Sequence, residues 1–188
     1  MKKLLIGLLA AIALVVLIGV MLPSNIQVSQ SILIHTPADM VFEEVNNLKQ
    51  WNHWSPWQKE DPTTVKEDPI TVMTYEGPDS GVGCKMIWDS KNPKLGKGSQ
   101  EIIKSIPNRH IEVALNFASW KHHTRSNWDF EERENNSTQV TWSYTSHIRK
   151  NIWHKYMAII IKPSLEKDYI KGLQQLKTHV EQKMASVN

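Results

Sequence analysis

The sequence predicts an α+β layer structure in which a curved antiparallel sheet of about seven strands wraps one long C-terminal helix. Three observations carry this reading. Apolar and polar residues alternate in short runs between Ile26 and Tyr144, which is the period of strands with one dry face. Turn residues punctuate the runs, as in Gly77-Pro78-Asp79-Ser80-Gly81, Gly96-Lys97-Gly98 and Pro107-Asn108, and turns this short join antiparallel neighbours. Leu165, Tyr169, Gly172, Leu173, Leu176 and Val180 then recur at three- and four-residue spacing, the apolar stripe of an amphipathic helix.

The chain opens on Leu4–Leu22, nineteen residues without a charge. At about 1.5 Å per residue that run matches the roughly 30 Å hydrocarbon core of a bilayer. Lys2 and Lys3 precede it and the next Lys or Arg is Lys49, so the positive-inside rule keeps the N-terminus cytoplasmic and exports the rest. A cleaved signal peptide has the same charged start. Here Val20-Met21-Leu22-Pro23 puts bulky residues where a peptidase needs small ones. The expected division is therefore 1–23 as an uncleaved single-pass anchor and 24–188 as one extracytoplasmic (periplasmic) domain. The whole chain of 188 residues carries a net charge of +3. Lys2 and Lys3 supply two of those charges, and a near-neutral domain lacks the concentrated basic face that nucleic acid requires. Cys84 is the only cysteine, which rules out an internal disulfide.

Ile26–Ile34 alternates as a strand, with Ile26, Val28, Ile32 and Ile34 on one face. Thr36-Pro37-Ala38-Asp39 reads as a helix start, with Thr36 capping and Pro37 at the first helical position. That helix carries Met40, Val41, Val45 and Leu48 to the core, with Phe42 at its edge. It leads into Trp51-Asn52-His53-Trp54-Ser55-Pro56-Trp57, which holds three of the eight tryptophans. Trp51 and Trp54, three apart, share a helical face, and Pro56 stops the helix. This elbow is expected to close one end of an apolar pocket. Asp61–Pro69 is polar and reads as a loop. Strands follow at Thr71–Glu76, Gly83–Ser90, Ser99–Ile106, Ile111–Phe117, around Trp128 and Phe130 after a Trp120–His123 turn, and around Val140, Trp142 and Tyr144. Asn92-Pro93 and the glycines of Gly81-Val82-Gly83 and Gly96-Lys97-Gly98 read as turns, the glycines at positive φ. Ile152–Ile161 is expected to be a lid or short helix broken by Pro163, before the long final helix.

The pieces in this order resemble the polyketide cyclase/dehydrase-like branch of the START-related, Bet v 1-like helix-grip (SRPBCC) superfamily. They are Thr36-Pro37-Ala38 with Val41-Phe42, the Trp51–Trp57 elbow, Tyr75-Glu76-Gly77-Pro78, Gly81-Val82-Gly83 leading to Trp88, Gly96-Lys97-Gly98, Pro107-Asn108, Thr141-Trp142 and Gly172-Leu173-Gln174-Gln175-Leu176-Lys177. The resemblance implies a cavity for lipids or other hydrophobic molecules between sheet and final helix, and a branch that often carries an N-terminal membrane helix.

The expected cavity-lining residues are Trp51, Trp54, Trp57, Met86, Trp88, Leu115, Phe117, Trp128, Trp142 and Tyr144. Core packing explains the same residues, because large aromatic rings fill a cavity as readily as they line it. The eight histidines show no ligand spacing with carboxylate or thiolate company. His122 and His123 are adjacent, so on a strand they point to opposite faces. No metal and no cofactor are expected. Acid–base candidates are His53, Asp129, Tyr144 and His147, but no nucleophile motif is present, and Cys84 alternates with Met86 and Trp88 as a core thiol would. Three functions remain open: a membrane-anchored binder of a hydrophobic or lipid-like small molecule, a protein-interaction or envelope-stress module with a filled core, and a cyclase- or dehydratase-type enzyme.

Overall fold

The computed structural model describes residues 1–59, 71–91, 95–118, 120–148 and 151–186. The expected Asp61–Pro69 loop and the Asn92-Pro93 turn lie outside the described residues. Helix α1 (Lys2–Met21) is followed by β1 (Asn25–Ile34), α2 (Ala38–Asn46), a 3-10 turn (Gln50–His53) and the short α3 (Pro56–Lys59). Six strands come next: β2 (Thr71–Glu76), β3 (Lys85–Ser90), β4 (Lys97–Ile106), β5 (His110–Phe117), β6 (Trp120–Arg133) and β7 (Ser137–His147). Helix α4 (Ile152–Ala185) ends the chain.

All seven strands form one sheet in the order β1-β7-β6-β5-β4-β3-β2, every pair antiparallel. Sequential hairpins run from β2 to β7, and β1 returns to pair with β7. Two hairpin turns rest on asparagines at positive φ, Asn108 after Pro107 and Asn135-Asn136 between β6 and β7. Asparagine tolerates that region better than other residues with a Cβ. A register shift between Ile102 and Lys104 in β4 bends the strand.

Several local expectations need correction. Pro37, not Thr36, is the N-cap of α2, and it offers no side-chain bond. Thr36 is buried, and its carbonyl accepts from Thr138 Oγ1 at 2.7 Å instead. Phe42 is a core residue, edge-on to Phe130 at 5.6 Å, while Met40 is only half-buried. Trp120–His123 is strand rather than turn. Gly81, Gly83 and Gly96 hold positive φ, but Gly98 sits within β4. A Cβ there would lie 2.2 Å from the Trp88 ring and 2.6 Å from the Asn116 carbonyl oxygen, so Gly98 is needed for close approach. Pro56 opens α3 instead of merely ending a helix, as suits proline in a first turn.

The largest correction is α4, one helix of 34 residues running through Pro163. An interior proline costs about 3 kcal/mol. The helix continues because it is docked on both sides of the proline. Its first turns pack on α1, and beyond the proline it lies along β1 and meets α2 and α3. Gly172 makes that second contact close, since a Cβ would stand 2.7 Å from the Trp142 ring and 3.1 Å from Pro56. Two ties fix the far end of α4 to the end of β1: Lys177 Nζ donates to the Leu33 carbonyl at 2.7 Å, and His35 N donates to Glu181 Oε1 at 2.9 Å.

Candidate ligand-binding site

The inner face of the sheet is divided into two halves. In the half built by β6, β7 and β1, aromatic rings pack into one another. Trp142 stacks between Trp128, centroids 4.2 Å apart, and Tyr169 of α4 at 3.9 Å. The elbow caps this stack: Trp51 and Trp54 lie 4.9 Å from each other, and both meet Trp128 and Trp142 edge-on. All five residues are at most 2% exposed. Trp51 Nε1 donates to the Val45 carbonyl at 3.0 Å and Trp142 Nε1 to Ser126 Oγ at 2.7 Å. Among the described residues the indole nitrogens of Trp54 and Trp128 find no acceptor, a cost that the ring packing offsets. Burial pushes the Tyr169 phenol far above its usual value.

In the other half, β2 to β5, strand register places Met73, Trp88, Gly98 and Phe117 in one row across the inner face. Tyr75, Met86, Gln100 and Leu115 form the next row. α4 lies along β1, at the opposite edge of the sheet from these strands. Met73, Tyr75, Trp88, Leu115 and Phe117 are only half-buried. Trp88 meets Phe117 edge-on at 5.6 Å and lies over Gly98, with its Nε1 donating to the Leu95 carbonyl at 3.2 Å. The elbow reaches this half through Asn52, whose Nδ2 donates to the Tyr75 hydroxyl at 2.9 Å. A polar line on the same face crosses both halves, with Gln100 on β4, Thr124 and Ser126 on β6, and Ser146 and Tyr144 on β7. Thr124 and Ser146 share a hydroxyl–hydroxyl bond of 3.1 Å. The Tyr144 phenol is raised by burial, against hydrogen bonds to Ser146 and Thr124 that oppose the shift. Tyr144 is therefore a neutral hydrogen-bonding group rather than a ready base.

Of the ten residues expected to line a cavity, Trp51, Trp54, Trp128 and Trp142 are packed ring on ring, and Trp57 borders them, edge-on to Trp142 at 5.6 Å. Trp88, Leu115, Phe117 and Tyr144 are half-buried on the inner face, and Met86 is buried on that face. The expectation did not include Met73 or Tyr75, nor any member of the polar line except Tyr144. Only the strand register, which a single run of sequence does not carry, brings them to the same surface.

The acid–base candidates do not converge. Asp129 bonds His110 Nδ1 at 2.7 Å, and both alternate to the face opposite Trp128 and Ile111. His147 bonds Asn25 at the sheet end. Burial raises the Cys84 thiol, and its Sγ contacts the Asp79 carbonyl at 3.5 Å, so it is a core thiol.

His53 stacks on His179, centroids 5.4 Å apart, beside a polar cleft of about 190 Å³ lined by Gln174, Gln175, Thr178 and Gln182 as well. Glu44, His53 and His179 bring one ligand-type atom each to within 4.8 Å of one another. The positions that could hold a cation here span 135 residues of the chain, so spacing along the sequence did not reveal them. Glu44, 2% exposed, is already bound by Lys183 Nζ at 2.6 Å and His179 Nε2 at 3.0 Å. That ammonium supplies the positive charge, and the cluster works as a buried clamp between α2 and α4.

Comparison with known proteins places this geometry. An aromatase/cyclase from a Streptomyces species superposes with a TM-score of 0.61 at 12% identity, covering 85% of this chain and 96% of that one. A Staphylococcus aureus protein of unknown function gives 0.62 at 13%, covering 86% and 96%. A norcoclaurine synthase from Thalictrum gives 0.60 at 10%, covering 85% and 96%. At these identities the likeness concerns the fold. A comparison with curated proteins returned no match. Residues 25–181 match the family described as polyketide cyclase/dehydrase and lipid transport, and the chain belongs to that family, with its helix-grip fold.

Proposed function

We propose that this protein is a single-pass membrane protein, anchored by Leu4–Leu22, whose residues 24–188 form an extracytoplasmic domain that binds a hydrophobic, lipid-like small molecule. The ligand lies on the open half of the inner face, against Met73, Trp88, Leu115 and Phe117. Its polar end meets Tyr144 and Gln100. The observation that carries this reading is the half-exposed apolar row beside a hydroxyl-bearing line, the combination that holds an acyl chain and orients its polar end. Each buried methylene contributes about 0.8 kcal/mol. Family membership supports a ligand-binding domain, and α1 is long and apolar enough to cross a membrane.

Native mass spectrometry of the full chain in detergent, followed by solvent extraction, tests the reading. A co-purifying apolar molecule that Leu115→Trp displaces is the expected result. An apo mass that stays unchanged after incubation with a lipid panel would sink it. That second outcome favours an interaction module with a filled core, which the stacked Trp128, Trp142 and Tyr169 also support. An enzymatic reading has less support, because Tyr144 is the only one of the four acid–base candidates on the inner face and its phenol is held neutral.

A further inference from the structure

We propose that the first three turns of α4, Ile152–Ile161, lie in the surface of the bilayer beside α1 and form a second lipid contact that seats the domain. This rests on the reading of α1 as a membrane anchor. The partner is the bilayer itself, and three observations point to it.

The first is an exposed apolar stripe. Trp153 is 73% exposed, Ile160 69%, Met157 44% and Ile161 43%. Positions 153, 157, 160 and 161 share one side of a helix. His154 and Lys155 are the only titratable or charged groups from Ile152 to Ile161 other than the Tyr156 phenol.

The second is attachment to the span. Gly19 is the one buried residue of α1, and a Cβ there would stand 2.1 Å from Ile152 Cγ2 and 2.9 Å from the Tyr156 ring. Lys155 Nζ donates to the Val20 and Leu22 carbonyls at 3.1 and 2.8 Å. Its charge is thereby used on carbonyls at the end of α1, where a cation is favoured. Asn151 caps α4 by accepting from the Trp153 and His154 backbone N–H groups, so the helix begins at this junction.

The third is depth. The Tyr156 hydroxyl donates to the Val15 carbonyl at 2.6 Å. Val15 lies seven residues before Leu22, about 10 Å along a helix at 1.5 Å per residue. If α1 spans the bilayer, a group bonded to Val15 is at or below the head groups. The start of α4 then has no water-exposed position available, and Trp153 sits where indoles favour the interface. The sheet end near this junction, where β1 begins and Ile148 N bonds the Ser24 carbonyl at 2.7 Å, is also the end that carries the Met73–Trp88–Phe117 row. The same contact turns the open half of the inner face toward lipid.

The test uses the full chain in phosphatidylcholine/phosphatidylglycerol vesicles. With Cys84→Ser as background, single cysteines Leu9→Cys, Ile160→Cys and Glu134→Cys carry an environment-sensitive fluorophore, and quenching by doxyl-labelled lipid is read. Labels at 9 and 160 are expected to be quenched at least threefold more than the label at 134, on the β6–β7 hairpin. Quenching at 9 with 160 behaving like 134 overturns this inference and leaves the anchor intact. No quenching at 9 overturns the anchor reading and this inference with it. A second variant avoids the cysteine background: Trp153→Phe is expected to remove more than half of the tryptophan emission that brominated lipid quenches. Unchanged quenching would contradict the proposal.

Discussion

The two halves of the inner face are built from the same residue types and end differently. On β6 and β7, Trp128 and Trp142 are sealed by the elbow and by Tyr169 of α4. On β3 and β5, Trp88 and Phe117 touch each other but remain half-buried. What separates them is the placement of α4, which lies along β1 at one edge of the sheet. An inward-facing aromatic is thus core or surface according to which helix reaches it, and residue type does not decide the matter.

The comparison can be broken by truncating one ring in each half. Trp142→Ala removes a ring stacked on two neighbours and is expected to cost about 3–5 kcal/mol in denaturant unfolding. Trp88→Ala is expected to cost no more than about 1 kcal/mol and to act on ligand retention instead. Equal losses at the two sites would mean that both halves are core.

Gly172→Ala comes next. Its methyl must enter the space between Trp142 and Pro56, which overpacks the closed half by about 1–3 kcal/mol. Gly98→Ala collides with Trp88 and is expected to move that ring, altering near-UV circular dichroism and lipid retention more than stability.

Glu44→Gln removes the charge shared by Lys183 and His179 while keeping a hydrogen-bonding group. Because its partners are partly solvated, a loss of about 1–2 kcal/mol is expected, below the range for a pair buried on both sides. A larger loss, reversed by no cation, would show that the clamp matters more than the burial of its partners suggests. Stabilisation of the wild type, but not of Glu44→Gln, by a divalent cation would show that the cluster binds metal.

Alkaline pH sharpens the contrast further. Burial raises the Tyr169 and Tyr144 phenols above the ordinary value. The folded state therefore keeps protons that the unfolded chain releases from about pH 10 upward. Their effect on stability is absent below pH 10, and stability falls as pH rises beyond it. Absorbance at 295 nm during a pH titration should show these phenols ionising only with unfolding, and Tyr169→Phe should blunt the loss. The smallest effect is expected at Lys49, whose ion pair with Asp79 is exposed. Lys49→Met should leave the denaturation midpoint unchanged.

Much of the fold was legible because alternation and turn residues are local signals. Ile111, Val113 and Leu115, or Val140 and Trp142, announce a strand face without help from the rest of the chain. What stayed hidden depends on contacts distant in sequence. Pro163 reads as a break until α1 and β1 are known to hold α4 on both sides. Thr36 reads as a cap until β7 closes over it. Glu44 carries no signal in the sequence until Lys183 and His179 arrive from α4. The site was half legible for the same reason. Seven of the ten residues were identifiable by strand alternation and the three tryptophans of the elbow by their clustering, but the division between sealed and open rows required the register that pairs Trp88 with Met73 and Gly98 with Phe117.

Photocross-linking tests the central claim most directly. The full chain in vesicles is irradiated with a diazirine-bearing fatty acid, and the adducts are mapped by peptide mass spectrometry. Adducts on Met73, Trp88, Leu115 or Phe117 that unlabelled fatty acid competes away, with none on Trp128 or Trp142, are the predicted result. Labelling confined to α1 and the start of α4, with the inner face untouched, would contradict the account and leave the open half as surface without a ligand.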